Sequence, residues 1–174
     1  MTLHATSPAF RENAREALAD QQLQKALGNV RTNVVARRAV AAGRLPEFEA
    51  LRDQARDIRN HVLAHLDVYL EMYERNVIAA GGHVHWARTA DEACRIIIDI
   101  AKAREARSVV KGKSMVSEEI GLNAALERAG VAAVETDLGE YIIQLRGETP
   151  SHIIMPAVHL NREDVEAEFR RAHT

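Results

Sequence analysis

Ser108-Val109-Val110-Lys111-Gly112-Lys113-Ser114-Met115-Val116-Ser117-Glu118-Glu119 reads as a buried strand, a tight turn rich in lysine and serine, and the start of a helix. Val109 and Val110 are β-branched and close a short apolar run, as an interior strand requires. Gly112 lets the chain take backbone angles that other residues resist. Ser114 is placed to cap the helix. Ser117 follows three residues on, with Glu118 and Glu119 in the first turn, where carboxylates suit the positive end of the helix dipole. A strand that turns into a helix N-terminus between two lysines is a natural anion site, because free N–H groups and the Lys111 and Lys113 ammonium groups converge there. The plainer reading gives the lysines to solvent and the serines to capping. Lys-Gly-Lys-Ser also resembles the tail of a phosphate-binding loop. However, Arg107 stands where that pattern needs its upstream glycine, and no G-x-G-x-x-G occurs.

Similar units flank this one. Gly81-Gly82 precedes an alternating stretch at 83–87, in which Val84 and Trp86 face one way and His83 and His85 the other, as on a strand. Thr89-Ala90-Asp91-Glu92 is a capping box that opens a helix to about residue 106. A helix over 115–129 follows the lysine turn and stops at Gly130. The apolar run 131–135 reads as the next strand. Thr136-Asp137-Leu138-Gly139-Glu140 then makes a second strand-to-helix junction, with Asp137 and Glu140 spaced as a capping pair. The helix that follows carries Tyr141, Ile142 and Leu145 inward and ends near Gly147. Residues 152–155 read as a fourth strand, closed by Pro156, and Asn161 with Asp164 caps a last helix. This β-α-β-α-β-α-β-α order predicts an α/β fold with a mostly parallel sheet and right-handed crossovers. Ligands then gather where the strands end, near Lys111–Ser117, Glu135–Glu140 and Met155–His159.

Residues 1–80 read differently, as a helical arm, with the α/β portion occupying 81–174. Ser7-Pro8 opens a first helix, and a second over 29–42 is expected to stop at Gly43. Pro46 begins the longest element, read as one helix over 46–80. Phe48, Leu51, Ala55, Ile58, Val62, Leu66, Tyr69 and Tyr73 recur on it at steps of three and four and form an apolar seam. His61 and His65 are an i, i+4 pair that could share a metal ion, yet Val62 stands where the zinc-protease pattern needs glutamate, and no third ligand is nearby. His83 and His85 fail as a metal pair for the same want of a third ligand. Metal binding is therefore not expected.

The chain has 174 residues and is 47% hydrophobic, enough for one domain with an extension. A net charge of −2 and a pI near 6.5 give no electrostatic reason to expect a nucleic acid or an anionic membrane. Cys94 is the only cysteine, so neither a disulfide framework nor a four-cysteine site can form within the chain, and a reducing compartment is implied. No signal-peptide core and no membrane-spanning run is present, which predicts a soluble, cytoplasmic protein.

Four stretches together resemble the lactate-utilisation iron–sulfur proteins, the B-type subunits of the bacterial L-lactate oxidation system. They are Gly82-His83-Val84-His85-Trp86-Ala87; Lys113-Ser114-Met115-Val116-Ser117-Glu118-Glu119-Ile120; Glu135-Thr136-Asp137-Leu138-Gly139-Glu140-Tyr141-Ile142; and Pro150-Ser151-His152-Ile153-Ile154. The resemblance implies a LUD domain with an α/β fold similar to sugar-phosphate isomerases and CoA transferases. It also implies an oxidoreductase context. A C-terminal ferredoxin-like region of a full-length relative carries two 4Fe–4S clusters and passes electrons as L-lactate becomes pyruvate, with other subunits of the complex as partners. This sequence departs from the pattern by ending at Thr174 and by holding one cysteine, so no cofactor is expected in this chain. It reads as the N-terminal portion of such a protein, inactive in isolation. A second copy, in a homo-oligomer, would be one way to cover an open sheet edge.

The expected cleft is formed by Lys111, Lys113, Ser114, Ser117, Thr136, Asp137 and Glu140 and takes a small organic anion or a partner surface. Lys113 and Ser114 would hold negative oxygen, while Asp137 and Glu140 orient a hydroxyl or only cap their helix. His152 and His159 are the candidate bases for an alternative isomerase or transferase chemistry, with Glu119 behind them. A non-catalytic docking module built on the helical arm is the third reading.

Overall fold

The computed structural model describes residues 7–148, 150–152 and 154–173. Its organising element is a parallel pair of strands, β1 (Ser108–Lys111) and β2 (Ala132–Glu135), with Ser108 opposite Ala132 and Lys111 opposite Glu135. Parallel neighbours need a crossover long enough to return the chain to the same end. Here it is helical, so the α/β class holds. The helix expected over 115–129 is two helices, α7 (Met115–Glu119) and α8 (Leu122–Arg128). Gly121 separates them at φ +66, in the left-handed region where glycine is at ease and helix cannot continue. After β2 comes α9 (Leu138–Arg146), which ends on Gly147, also left-handed at φ +67.

Two expected strands are not strands. Residues 82–87 run without a ladder partner among the described residues; Gly82 and Val84 are half-buried and His83 and His85 exposed, but Trp86, expected to share a face with Val84, is exposed as well, so burial alternates only as far as His85. The Trp86 indole N–H donates to Glu74 Oε1 at 2.9 Å, a side-chain tie in place of a backbone ladder. In the stretch 152–155, Ile153 lies outside the described residues. The N–H groups of Ile154 and Met155 both donate to His152 Nδ1 at 3.1 Å, so donors that a ladder would use are consumed locally and the chain bends.

Among the described residues the chain divides into two compact units, one taking in Met1–Asn29 and Ala87–Thr174, the other Val30–Trp86. The first contains α1 (Phe10–Ala19), α2 (Gln21–Asn29), the strand pair, α6 (Ala90–Ala103), α7 to α9 and α10 (Arg162–His173). Its core is Cys94, Leu122, Ala125, Leu126, Val131 and Ala133, with Ile97, Ile98, Val109 and Ile120 packed against it. The helix starts follow their sequence signals. Thr89 Oγ1 accepts from the Glu92 N–H at 3.2 Å, while Glu92 Oε2 reaches back to the Arg88 N–H at 2.8 Å. Asn161 and Asp164 exchange side-chain-to-backbone bonds of 2.9 and 3.0 Å ahead of α10.

The second unit is helical throughout its regular structure: a π-helical stretch (Val30–Val35), α3 (Ala36–Gly43), α4 (Phe48–Ala64) and α5 (Leu66–Ala79). The single helix expected over 46–80 breaks at His65, whose angles (φ −126, ψ 33) leave the helical region. The His61 and His65 rings lie 4.7 Å apart at that break. No residue of these four segments is buried.

Leu126 is fully enclosed at 0% exposure and touches the strand pair through the core. Leu126→Ala should lower unfolding free energy by about 3 kcal/mol in a urea titration, the usual cost of a large core truncation.

Candidate functional site

The register of the strand pair places Lys111 and Glu135 side by side where both strands end. Lys111 Nζ and Glu135 Oε1 form an ion pair whose side chains are 12% and 5% exposed. The backbone closes around it: the Thr136 N–H and the Thr136 hydroxyl both donate to the Lys111 carbonyl at 2.9 Å. One turn further, Lys113 Nζ pairs with Glu140 Oε1 at 2.5 Å and also donates to the Ile154 carbonyl at 3.2 Å. The Glu140 carboxylate holds the Lys113 ammonium above its ordinary pKa. Two strand ends and two helix starts are thus tied by two ion pairs.

Both helix starts are capped from within. Ser114 Oγ accepts from the Ser117 N–H at 3.2 Å, and the buried Ser117 hydroxyl returns a 2.8 Å bond to the Ser114 carbonyl. Asp137 Oδ1 accepts from the Gly139 N–H at 3.0 Å. The capping reading therefore holds for Asp137, whereas Glu140 turns inward to Lys113 and is 5% exposed. The structure brings Lys111, Lys113, Ser114, Ser117, Thr136, Asp137 and Glu140 together at the strand ends. It also answers each lysine with a carboxylate, and the Ser117 and Gly139 N–H groups with side-chain oxygens.

Glu135, Asn123, Gln144, Glu118 and Glu148 are the residues that the sequence reading left out of the site. They surround a cavity of about 330 Å³ beside the ion pairs, to which Ser117, Glu127, Glu140, Leu122, Ile143 and Pro150 also contribute. Asn123 Nδ2 donates to Glu135 Oε1 at 2.8 Å. Gln144 lies along the outer edge of β2. It accepts from the Glu135 N–H at 3.1 Å and donates to the Ala133 carbonyl at 2.8 Å, as a third strand's backbone would. Glu135 Oε2, Glu140 Oε2 and Asn123 Oδ1 are buried without a hydrogen-bond partner among the described residues. Burial pushes the Glu118 carboxyl above its ordinary pKa; Glu135 and Glu140 add to this, while Lys111 and Lys113 oppose it. A signal for Glu135 existed, since a carboxylate closing an apolar strand needs a cation once that strand is interior.

His152 and His159 do not join the lysines. His152 is exposed and spends Nδ1 on the loop backbone. His159 lies between Ser151 Oγ, 2.9 Å from Nδ1, and Glu148 Oε2, 2.9 Å from Nε2. This Ser–His–Glu line has the composition of a nucleophile relay, but the Ser151 hydroxyl donates to the Pro156 carbonyl at 2.7 Å, so its proton closes the loop. Arg146 completes the tie with bonds to Glu148 and Glu168. Among the described residues no group of three or more His, Cys, Asp or Glu could hold a metal ion, and no helix is long and apolar enough to cross a membrane.

Comparison with known proteins places this geometry in context. Residues 70–174 match the family model of the LUD domain. The chain is 42% identical over 165 residues to the uncharacterized electron transport protein YkgF of Escherichia coli (strain K12), an alignment covering 95% of this chain and 35% of that protein. It is 40% identical over 170 residues to the lactate utilization protein B of Bacillus thuringiensis (strain Al Hakam) and to that of Bacillus cereus (strain AH187), covering 98% of this chain and 36% of each. The chain spans about a third of the length of these curated relatives. No solved structure matches it.

Lys111→Met leaves the buried Glu135 carboxylate without its cation and should cost about 3 kcal/mol of stability by urea unfolding; adding Glu135→Gln should recover more than half of that loss. An equal loss in the single and double variants would show that the cost does not come from a stranded Glu135 carboxylate. Glu148 offers a pH test. Arg146 first, and then His159, hold its carboxyl below the ordinary value of 4.5, so its stabilising contribution is full above that value and is lost as pH falls below it. The stability gap between wild type and Glu148→Gln should therefore shrink on acidification below pH 4.5, in urea titrations run at a series of pH values.

Proposed function

We propose that this chain, which belongs to the LUD domain family, is a LUD-domain portion of a lactate-utilisation electron transport protein and supports oxidation of L-lactate to pyruvate. The observation that carries the reading is its identity to lactate utilization protein B. The aligned region covers 98% of the chain.

Oxidation of L-lactate to pyruvate releases two electrons and two protons, and iron–sulfur clusters accept electrons singly. The residues of this chain do not fit such a cluster. A 4Fe–4S centre takes four thiolates, whereas Cys94 is the one cysteine here, is 7% exposed and donates its S–H to the Ile120 carbonyl at 3.3 Å. No electron-transfer step is assigned to these residues; in this reading the two clusters belong to the rest of a full-length relative. The chain's own contribution is architectural. The ion-paired strand ends hold a rigid module, and the helices α4 and α5 offer surface to the other subunits. Ile58, Leu63, Val68, Tyr73 and Ile78 are 57–67% exposed along these helices, more apolar surface than an unpartnered helix usually shows water. A small organic anion at Lys111 and Lys113 would have to displace Glu135 and Glu140, so the reading does not require one.

The test is a hybrid. In a Bacillus strain lacking lactate utilization protein B, a gene in which this chain replaces the aligned segment should restore growth on L-lactate. A hybrid that accumulates to the normal level, yet supports growth on glucose and not on L-lactate, overturns the reading.

A further inference from the structure

We infer that residues 30–44 form a docking surface for an anionic lipid bilayer, a helical stretch that lies along the headgroups without crossing them. Neither the strand-end site nor the lactate reading enters into it.

The stretch collects charge of one sign. Arg31, Arg37, Arg38 and Arg44 fall within it, and the sequence has no Asp or Glu between Asp20 and Glu47. The net charge of −2 includes these four arginines, so the rest of the chain sums to −6. A near-neutral total thus hides a local basic patch. The arginines of α4 show the usual arrangement, with Arg52 paired to Glu49 and Arg56 to Asp53 and Asp57. Arg31, Arg37 and Arg44 have no ion-pair partner among the described residues. Arg38 sits over the Phe48 ring, 5.6 Å from its centroid, and keeps its charge.

Charge alone would describe a solvated face, but a second observation concerns folding. The π-helical stretch and α3 contain no buried residue. Val30, Thr32, Val34, Val35 and Val40 are β-branched and favour helix weakly. A short helix of poor formers with no packed face is marginal in water and needs a surface. Val34, Val35 and Val40 are 51–57% exposed. On α3 and its cap, Arg37, Val40, Ala41 and Arg44 follow at i, i+3, i+4 and i+7, so cations and apolar residues share one face. Such a face suits a bilayer surface. Valine enters the acyl boundary, while arginine lays its methylenes down and lifts its guanidinium to the phosphates. A nucleic acid fits less well. Its phosphates give exposed valines little to bury against, and residues 30–46 contain no aromatic ring to stack on bases.

The experiment is flotation of the full chain with phosphatidylcholine vesicles, with and without about 30% phosphatidylglycerol, at about 0.15 M salt. Binding is expected on the anionic vesicles only, and it should fall when salt is raised to about 0.5 M. Arg37→Gln with Arg44→Gln should weaken binding by about 25-fold, or about fivefold for each charge removed. Val35→Asn with Val40→Asn should weaken it by at least about fivefold. Both exchanges preserve helix propensity, so circular dichroism in buffer should not change. No flotation with anionic vesicles overturns the inference, as does equal flotation with neutral ones. Unchanged binding in either double variant overturns it too. So does displacement from the vesicles by duplex DNA or poly-L-glutamate at equal charge, which would make the partner a nucleic acid or an acidic protein.

Discussion

Glu135 and Glu140 are buried carboxylates at the ends of very short elements, and an ionised carboxylate leaves water only if a cation goes with it. Lys111 and Lys113 are those cations. The requirement reaches beyond the pairs. The two strands share four paired positions, too few for apolar packing alone to specify register firmly. A slip by one residue would set Lys111 opposite Val134 or Thr136 and leave Glu135 alone in the interior. Charge pairing therefore selects the register, the register positions the Thr136 bonds to Lys111, and the same turn carries Lys113 to the first turn of α9.

The same pairing decides what the strand ends offer a ligand. In many parallel sheets, free N–H groups and unpaired lysines at this location make a positive pocket. Here serine and aspartate side chains already cap the helices and the lysines are neutralised, so the polarity of the neighbouring space is set by the carboxylates that remain. A lysine-rich turn is a poor guide to local potential when its partners come from another strand.

This explains which parts were legible in the sequence. Signals that act over three or four residues were readable. Val109-Val110 formed a strand, Ser114 and Asp137 capped their helices, Thr89 and Asn161 opened theirs, and Gly147 closed α9. What failed depended on partners distant in sequence. The alternation at 82–87 looked like a strand, but a strand exists only if another lies beside it. His152 captured the two N–H groups that would have made a ladder at 154 and 155. Gly121 was passed over because a glycine inside an apolar helical pattern reads as tolerated until its angle is known. In the site, Lys111 and Lys113 were found and their counter-charges were not. Glu140 was assigned to its helix start because spacing explained it there, while its real partner is 27 residues earlier in the chain, across the sheet.

Gln144 carries a different kind of consequence. Its amide gives β2 the hydrogen bonds of a neighbouring strand, yet a side chain can leave by rotating about its own bonds while the fold stays intact. Solvent exchange of the Glu135 amide hydrogen is then gated by rotamer hopping of one glutamine, on a faster clock than the opening of the β1–β2 ladder itself. Strand β2 is thus guarded on one side by the backbone of β1 and on the other by a latch. Labelling in heavy water would see the amides on the two sides of β2 as separate kinetic populations within a single two-stranded sheet.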